Sequence, residues 1–322
     1  MRSMPIRPMG VGQTLDRSLQ LYRTLFTPLF LLTLIAFGPF YLASSLLLID
    51  VSQLPVVPKF QGFEDFETFW LSRLPEQSLE AGIELWIKIA GVALLALLFA
   101  FVALPLHMAT GVILTNRALN GEELSLASAF REALRRYWRV LGNGILFWII
   151  CIGVYTGVMM GNGFLAIFYG AATAFAAAAL PGGAGAAMAG VGFLVIYIGL
   201  MYIGILAYYY FVVRFGFFLP PLLFENESVG IGRSWALTRR SFWRLLGIYI
   251  NFAVLMYVFS VALFMVFAAF GVTLSGMLAV LFVFCAVVPA GIVLYTMAYR
   301  IQKVRADGDD LAAMIAAARG EE

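Results

Sequence analysis

Residues 124–142 read LSLASAFREALRRYWRVLG, and residues 229–247 read VGIGRSWALTRRSFWRLLG. A shift of 105 positions places Phe130 on Trp235, Arg135 on Arg240, Tyr137 on Phe242, Trp138 on Trp243, Arg139 on Arg244 and Gly142 on Gly247. A fainter copy, GQTLDRSLQLYRTLFTPL, occupies residues 12–29 and is the first of the three in chain order, with Phe26 matching Trp138 at a shift of 112. Each copy leads directly into a long apolar run. A repeat of this length exceeds solenoid periods and suits a unit of one surface helix plus two membrane spans.

Composition points the same way. Hydrophobic residues make up 62% of the chain and charged ones 12%, against about 45–50% and about 25% in soluble domains. Apolar runs fall near residues 26–49, 89–115, 140–180, 190–213, 245–270 and 274–298. Each is long enough to cross a hydrocarbon core of about 30 Å, which takes about 20 helical residues. The chain therefore reads as an all-α integral membrane protein with six transmembrane helices. They form three hairpins, each preceded by a cytoplasmic amphipathic interfacial helix, in a threefold internal repeat. One membrane domain of residues 1–322 is divided into units 9–120, 121–226 and 227–304, with a cytosolic tail at 305–322. The run at 140–180 is too long for one straight span, and Gly161-Asn162-Gly163 is expected to break it, leaving 164–180 as a second short helix or a re-entrant segment.

Basic residues set the orientation. With both termini cytoplasmic, 18 of the 21 lysines and arginines lie inside and only Lys59, Arg73 and Lys88 outside, a strong positive-inside bias. The first apolar run exceeds a signal-peptide core and has counterparts in the other units, so it reads as span one. Cys151 and Cys285 fall inside spans with no CxxC spacing and read as buried free thiols.

Within the second copy, Leu126, Phe130, Ala133, Leu134, Tyr137 and Leu141 share one helical face, and the charges fall off it. A helix with aromatics on one side and arginines on the other lies in the headgroup plane. Arg131, Arg135 and Arg139 are spaced four apart, as are Arg240 and Arg244. Stacked like charges cost a few tenths of a kcal/mol per pair in isolation, a cost reversed beside anionic lipid, where each basic residue gains about 1 kcal/mol. These five arginines are the candidate lipid-phosphate contacts. Headgroup anchoring and topology alone are the plainer reading.

Polar residues within the spans are few. His107 is the only histidine, so neither a multi-histidine metal site nor a triad with a second histidine is available. Beside Pro105 it is expected to satisfy a carbonyl freed by the proline kink, with proton relay as the alternative. Pro105 and Pro289 are expected to bend the second helices of their units, and with His107 they mark a candidate cavity. Gly153, Gly157 and Gly161 form a ribbon expected to serve helix packing inside the chain, with oligomerisation as the alternative. Glu225 and Glu227 are placed to pair with Arg233 or nearby arginines of other copies as a salt-bridge clamp, with an acid-base pair as the alternative. An outer-leaflet helix is expected around Phe63, Phe66 and Trp70, and a capped helix in the tail after Asp309 and Asp310. Paired carboxylates, metal-ligand spacing, a Walker sequence and a dinucleotide fingerprint are all missing from the sequence.

The stretches VGQTLDRSLQLYRTLFTPLFLL at 11–32 and FLPPLLFENESVGIGRSWALTRRSFWRLLGIYI at 218–250 give a family resemblance. The chain resembles bacterial six-span proteins related to the membrane domain of glycerophosphoryl diester phosphodiesterases. The resemblance covers the membrane region and implies a bacterial plasma membrane, of Gram-positive type. Enzymes of that family carry their hydrolytic activity in a separate soluble barrel, which this sequence lacks, so the resemblance argues against diesterase activity. The expectation is a non-enzymatic protein without cofactor or nucleic-acid partner. It organises membrane lipids, including anionic phospholipid, or a complex with another membrane protein or a second copy. The alternative is a small transporter or lipid-moving protein with a cavity among the proline-kinked helices.

Overall fold

The computed structural model describes residues 9–48, 79–179, 184–225, 227–239, 241–268 and 274–308. The long helices are α1 (Val11–Leu48), α2 (Leu79–Leu98), α3 (Leu104–Asn120), α5 (Tyr137–Ala179), α6 (Ala184–Phe215), α9 (Phe242–Ala268) and α10 (Leu274–Asp307). Three short ones join them: α4 (Leu126–Arg135), α7 (Leu219–Phe224) and α8 (Gly230–Thr238). Six helical stretches are long and apolar enough to cross a membrane. Among the described residues there is no strand. The expected outer helix around Phe63, Phe66 and Trp70, the tail beyond Gly308, and Arg240 lie outside the described residues.

Two compact units are present: residues 1–141 with 243–322, and residues 142–242. In the first, α1, α3 and α10 pack together along one half of their length. Leu21, Leu25 and Leu29 of α1, Val112, Ile113 and Leu114 of α3, and Ile292, Val293 and Leu294 of α10 are almost fully buried. Hydroxyls tie the helices further, since the Tyr22 O–H donates to the Ala286 carbonyl and the Tyr41 O–H to the Met277 carbonyl at 3.1 Å. Toward the other half the same helices open out. Ile35, Leu42 and Leu46 of α1, Leu94 and Leu97 of α2, and Leu278 and Phe282 of α10 are exposed, and Trp86 is 70% exposed. Apolar side chains left this bare belong in a hydrocarbon solvent, and the buried half supplies the core.

The first motif copy does not form a helix of its own. It makes up the first turns of the 38-residue α1, which continues through Pro28 and Pro39. Copies two and three do form separate short helices. Gly121, with φ of 76°, ends α3, and Ser125 caps α4 by accepting from the Ser128 N–H at 3.4 Å. A break at Arg136 separates α4 from α5, while α8 ends at Thr238 and α9 begins at Phe242.

The break expected at Gly161-Asn162-Gly163 is absent, and α5 runs unbroken for 43 residues. Residues 164–179 extend span three as helix. Glycine and asparagine end helices in water, where freed carbonyls find solvent. In a hydrocarbon setting each backbone group must be satisfied within the chain, so the helix persists. Asn162 is buried against α6, where a Cβ added to Gly204 would lie 2.8 Å from Asn162 Nδ2 and 2.6 Å from Val158 Cγ1. The close helix approach in this unit thus uses Gly204. A Cβ built on Gly153, Gly157 or Gly161 meets nothing within 4 Å, so the expectation that this ribbon packs helices within the chain is corrected.

Candidate functional site

The arginines divide into two populations. One is built into the helix junctions. Arg117 donates from Nη1 to Ser128 Oγ at 2.6 Å and pairs through Nη2 with Glu132 at 2.8 Å, fastening α4 along α3. Arg300 reaches Asn120 Oδ1 at 2.5 Å, and Arg305 reaches the Met9 carbonyl at 2.6 Å. These contacts gather the start of α1 and the ends of α3 and α10 at one basic end. Part-exposed ion pairs such as Arg117–Glu132 each contribute about 0–1 kcal/mol, so they set geometry more than stability.

The second population points outward. Arg131 and Arg135 on α4, Arg139 in the first turn of α5 and Arg244 in the first turn of α9 are all exposed. The side chains of Arg131, Arg135 and Arg244 make no hydrogen bond or ion pair among the described residues. Beside them Trp138 is 80% exposed and Trp243, its counterpart in the third copy, 79%. The inward residues match as well: Ala129 with Ser234, Ala133 with Thr238, and Val140 with Leu245 are all buried. Helix α4 is strongly amphipathic, and its Ala129 and Ala133 stripe lies against α3.

In the second unit Arg214 is 7% exposed at the end of α6. Its guanidinium lies 4.2 Å over the Trp235 ring and 5.1 Å from the Tyr210 ring. Nη2 donates to the Tyr210 hydroxyl at 2.8 Å and Nη1 to the Trp235 carbonyl at 3.4 Å. Desolvated cation–π contacts of this kind contribute about 2 kcal/mol, and α8 is further fixed by Ser234 Oγ donating to the Arg214 carbonyl at 2.7 Å. Arg233 pairs with Glu225 at 3.1 Å, which is the Glu225 half of the expected clamp; among the described residues Glu227 forms no ion pair. Asn143 closes the turn before α8, accepting from the Gly230 N–H and donating to the Ser228 carbonyl, each at 3.2 Å.

Pro105 sits in the first turn of α3, directly after a π-helical segment at Phe99–Ala103. Proline has no N–H for the carbonyl four residues back, that of Phe101. The Tyr137 O–H takes that place at 2.6 Å. The expectation that His107 would do so is corrected: His107, 1% exposed, joins its Nε2 to Thr33 Oγ1 at 2.9 Å and sets its ring edge-on to Phe37. Tyr137→Phe should therefore lower stability by about 1 kcal/mol, read as a lower midpoint of thermal unfolding in detergent. Pro105→Ala in the same background should recover most of the loss, because it restores the missing N–H.

An apolar cavity of about 400 Å³ lies in the opened half of the first unit, lined by residues of α1, α2, the π-helical segment and α10. Pro105, His107 and Pro289 do not line it. Among the described residues no group of three or more histidine, cysteine or acidic side chains could hold a metal ion. Cys151 and Cys285 are buried free thiols. The basic end and the outward arginine–tryptophan edges were signalled by the sequence. The Arg214 clamp, the Asn143 turn and the cavity were not, although Tyr210 four residues before Arg214 is a local sign of the first. Comparison with known proteins gives no match, whether to a family model, a curated protein or a solved structure.

Proposed function

We propose that this chain is a non-enzymatic multi-pass membrane protein that gathers anionic phospholipid at a cytoplasmic surface, or organises a membrane complex there. The observation that carries the reading is the shared display in copies two and three. Trp138 and Trp243 stand almost fully exposed beside Arg139 and Arg244, with buried residues in the same register behind them. Tryptophan at a headgroup boundary and arginine forks for phosphate are the two chemistries an anionic interface favours. The matching burial pattern supports a repeated unit, with α4 and α8 as its interfacial helices and the start of α1 as a third, fused copy. The positive-inside bias supports cytoplasmic termini, and the family resemblance supports a bacterial plasma membrane.

The test is native mass spectrometry of the full chain released from bilayers of mixed phosphatidylglycerol and phosphatidylcholine. Arg131, Arg135, Arg139 and Arg244 changed together to Gln should reduce retained phosphatidylglycerol by well over tenfold, since each arginine contributes up to about 1 kcal/mol, and leave phosphatidylcholine unchanged. Equal retention by the variant and the parent would reduce the arginines to topology signals and sink the reading.

A further inference from the structure

The cavity in the opened half of the first unit is bounded by Phe37, Phe40, Tyr41 and Ser44 of α1, by Val92, Leu95 and Ala96 of α2 with Phe99 beyond it, and by Val280, Leu281 and Phe284 of α10. Its inner end is stopped by aromatic rings. Phe37 lies 4.6 Å from Phe99 and 4.8 Å from Phe284 between centroids, and Phe40 lies 5.3 Å from Phe99. Phe37 also contacts the buried His107 ring at 5.1 Å, so the cavity ends where the polar His107–Thr33 pair begins.

We infer that this cavity holds one acyl chain of a bilayer phospholipid. Its two polar side chains are already engaged, Tyr41 with the Met277 carbonyl at 3.1 Å and Ser44 with the Tyr41 carbonyl at 2.9 Å. The wall therefore offers no spare donor or charge to recognise a polar ligand, and what it selects is hydrocarbon. The rim is continuous with exposed apolar surface at Leu42, Leu46, Leu94 and Leu97, the part of the unit that belongs in lipid, so the occupant enters sideways from the bilayer. Size limits it to one chain. At about 400 Å³ the space lies at the small end of the roughly 300–1,000 Å³ typical of ligand cavities, which suits a single chain. The inference is independent of the arginine edges, because no charged residue lines the cavity.

The experiment places the full chain in nanodiscs containing a phosphatidylcholine with a photoactivatable diazirine on one acyl chain, followed by irradiation and peptide mapping. Adducts should concentrate on peptides covering residues 37–44, 92–99 and 280–284, several-fold above other lipid-facing helix segments. Ala96→Trp, and separately Ser44→Phe, should fill the space and cut labelling there at least fivefold in protein with an unchanged elution profile. Labelling spread evenly over all lipid-facing helices would overturn the proposal. So would absence of label from these peptides, which would mean that another part of the chain fills the cavity, or yields unchanged by both bulky variants. A fourfold arginine-to-Gln protein should label normally, which separates failure here from failure of the headgroup reading.

Discussion

Gly230→Ala is expected to be the most damaging single substitution in the second unit. A Cβ at this position would stand 1.9 Å from the Phe218 carbonyl oxygen. The obstacle is backbone and cannot rotate aside. Overpacking of a closed site costs about 1–3 kcal/mol and occasionally more. The shift needed here would also pull the Gly230 N–H from Asn143 Oδ1, exposing a buried donor to a further penalty of about 1–3 kcal/mol. The measurement is thermal unfolding of the purified chain, with Gly232→Ala as the control, since a Cβ there meets nothing within 4 Å. Asn143→Leu should reproduce the hydrogen-bond part, together with loss of the bond to the Ser228 carbonyl. Equal midpoints for the two glycine variants would show that the first turn of α8 does not approach the Phe218 carbonyl this closely.

The second large effect lies at the crossing of α3 and α10. A Cβ on Gly111 would be 2.9 Å from Ile292 Cγ2 and 3.0 Å from its Cδ1. Ile292 is buried and β-branched, so its χ1 is confined in a helix and cannot simply turn away. Gly111→Ala should therefore cost about 1–3 kcal/mol, and Ile292→Ala, which opens a void, about 2–5 kcal/mol. Together they should be less harmful than their sum by about 1 kcal/mol or more, because the new methyl occupies part of the space the isoleucine vacates. Additivity within about 0.5 kcal/mol would mean the two residues do not share a boundary.

The sequence revealed the fold through the length of its apolar runs, because a span must be continuous and about 20 residues long. Helix ends were harder to read. Nothing in RRYWRV, which holds no glycine, proline or capping residue, marks the break at Arg136. The GNG triplet at 161–163, which looks like a stop, is helical because backbone groups in lipid have no partner outside the helix. The outward arginines were legible as charges off an aromatic face. Their separation from Arg117, Arg300 and Arg305 was not, since the latter are held by Glu132, Asn120 and Met9, up to 296 positions away. The cavity needs α1, α2 and α10 side by side, a pairing of chain segments about which local periodicity is silent.

Helix α5 has a consequence for the choice of host membrane. Its 43 residues extend about 65 Å at 1.5 Å per residue, against a hydrocarbon thickness of about 30 Å. Even a tilt of about 40° leaves a vertical reach of roughly 50 Å, so a substantial length of this helix stands in headgroups or water. The far end of α5 reads AATAFAAAA at 171–179, and alanine is small, a strong helix former, and only mildly apolar. Such a stretch passes between solvent and acyl chains at little cost. Hydrophobic mismatch, which for a span bounded by charged residues costs fractions of a kcal/mol per Å, is here relieved by sliding: a thicker bilayer takes in more alanine and a thinner one releases it, with Phe175 the one large side chain of the stretch that crosses the boundary.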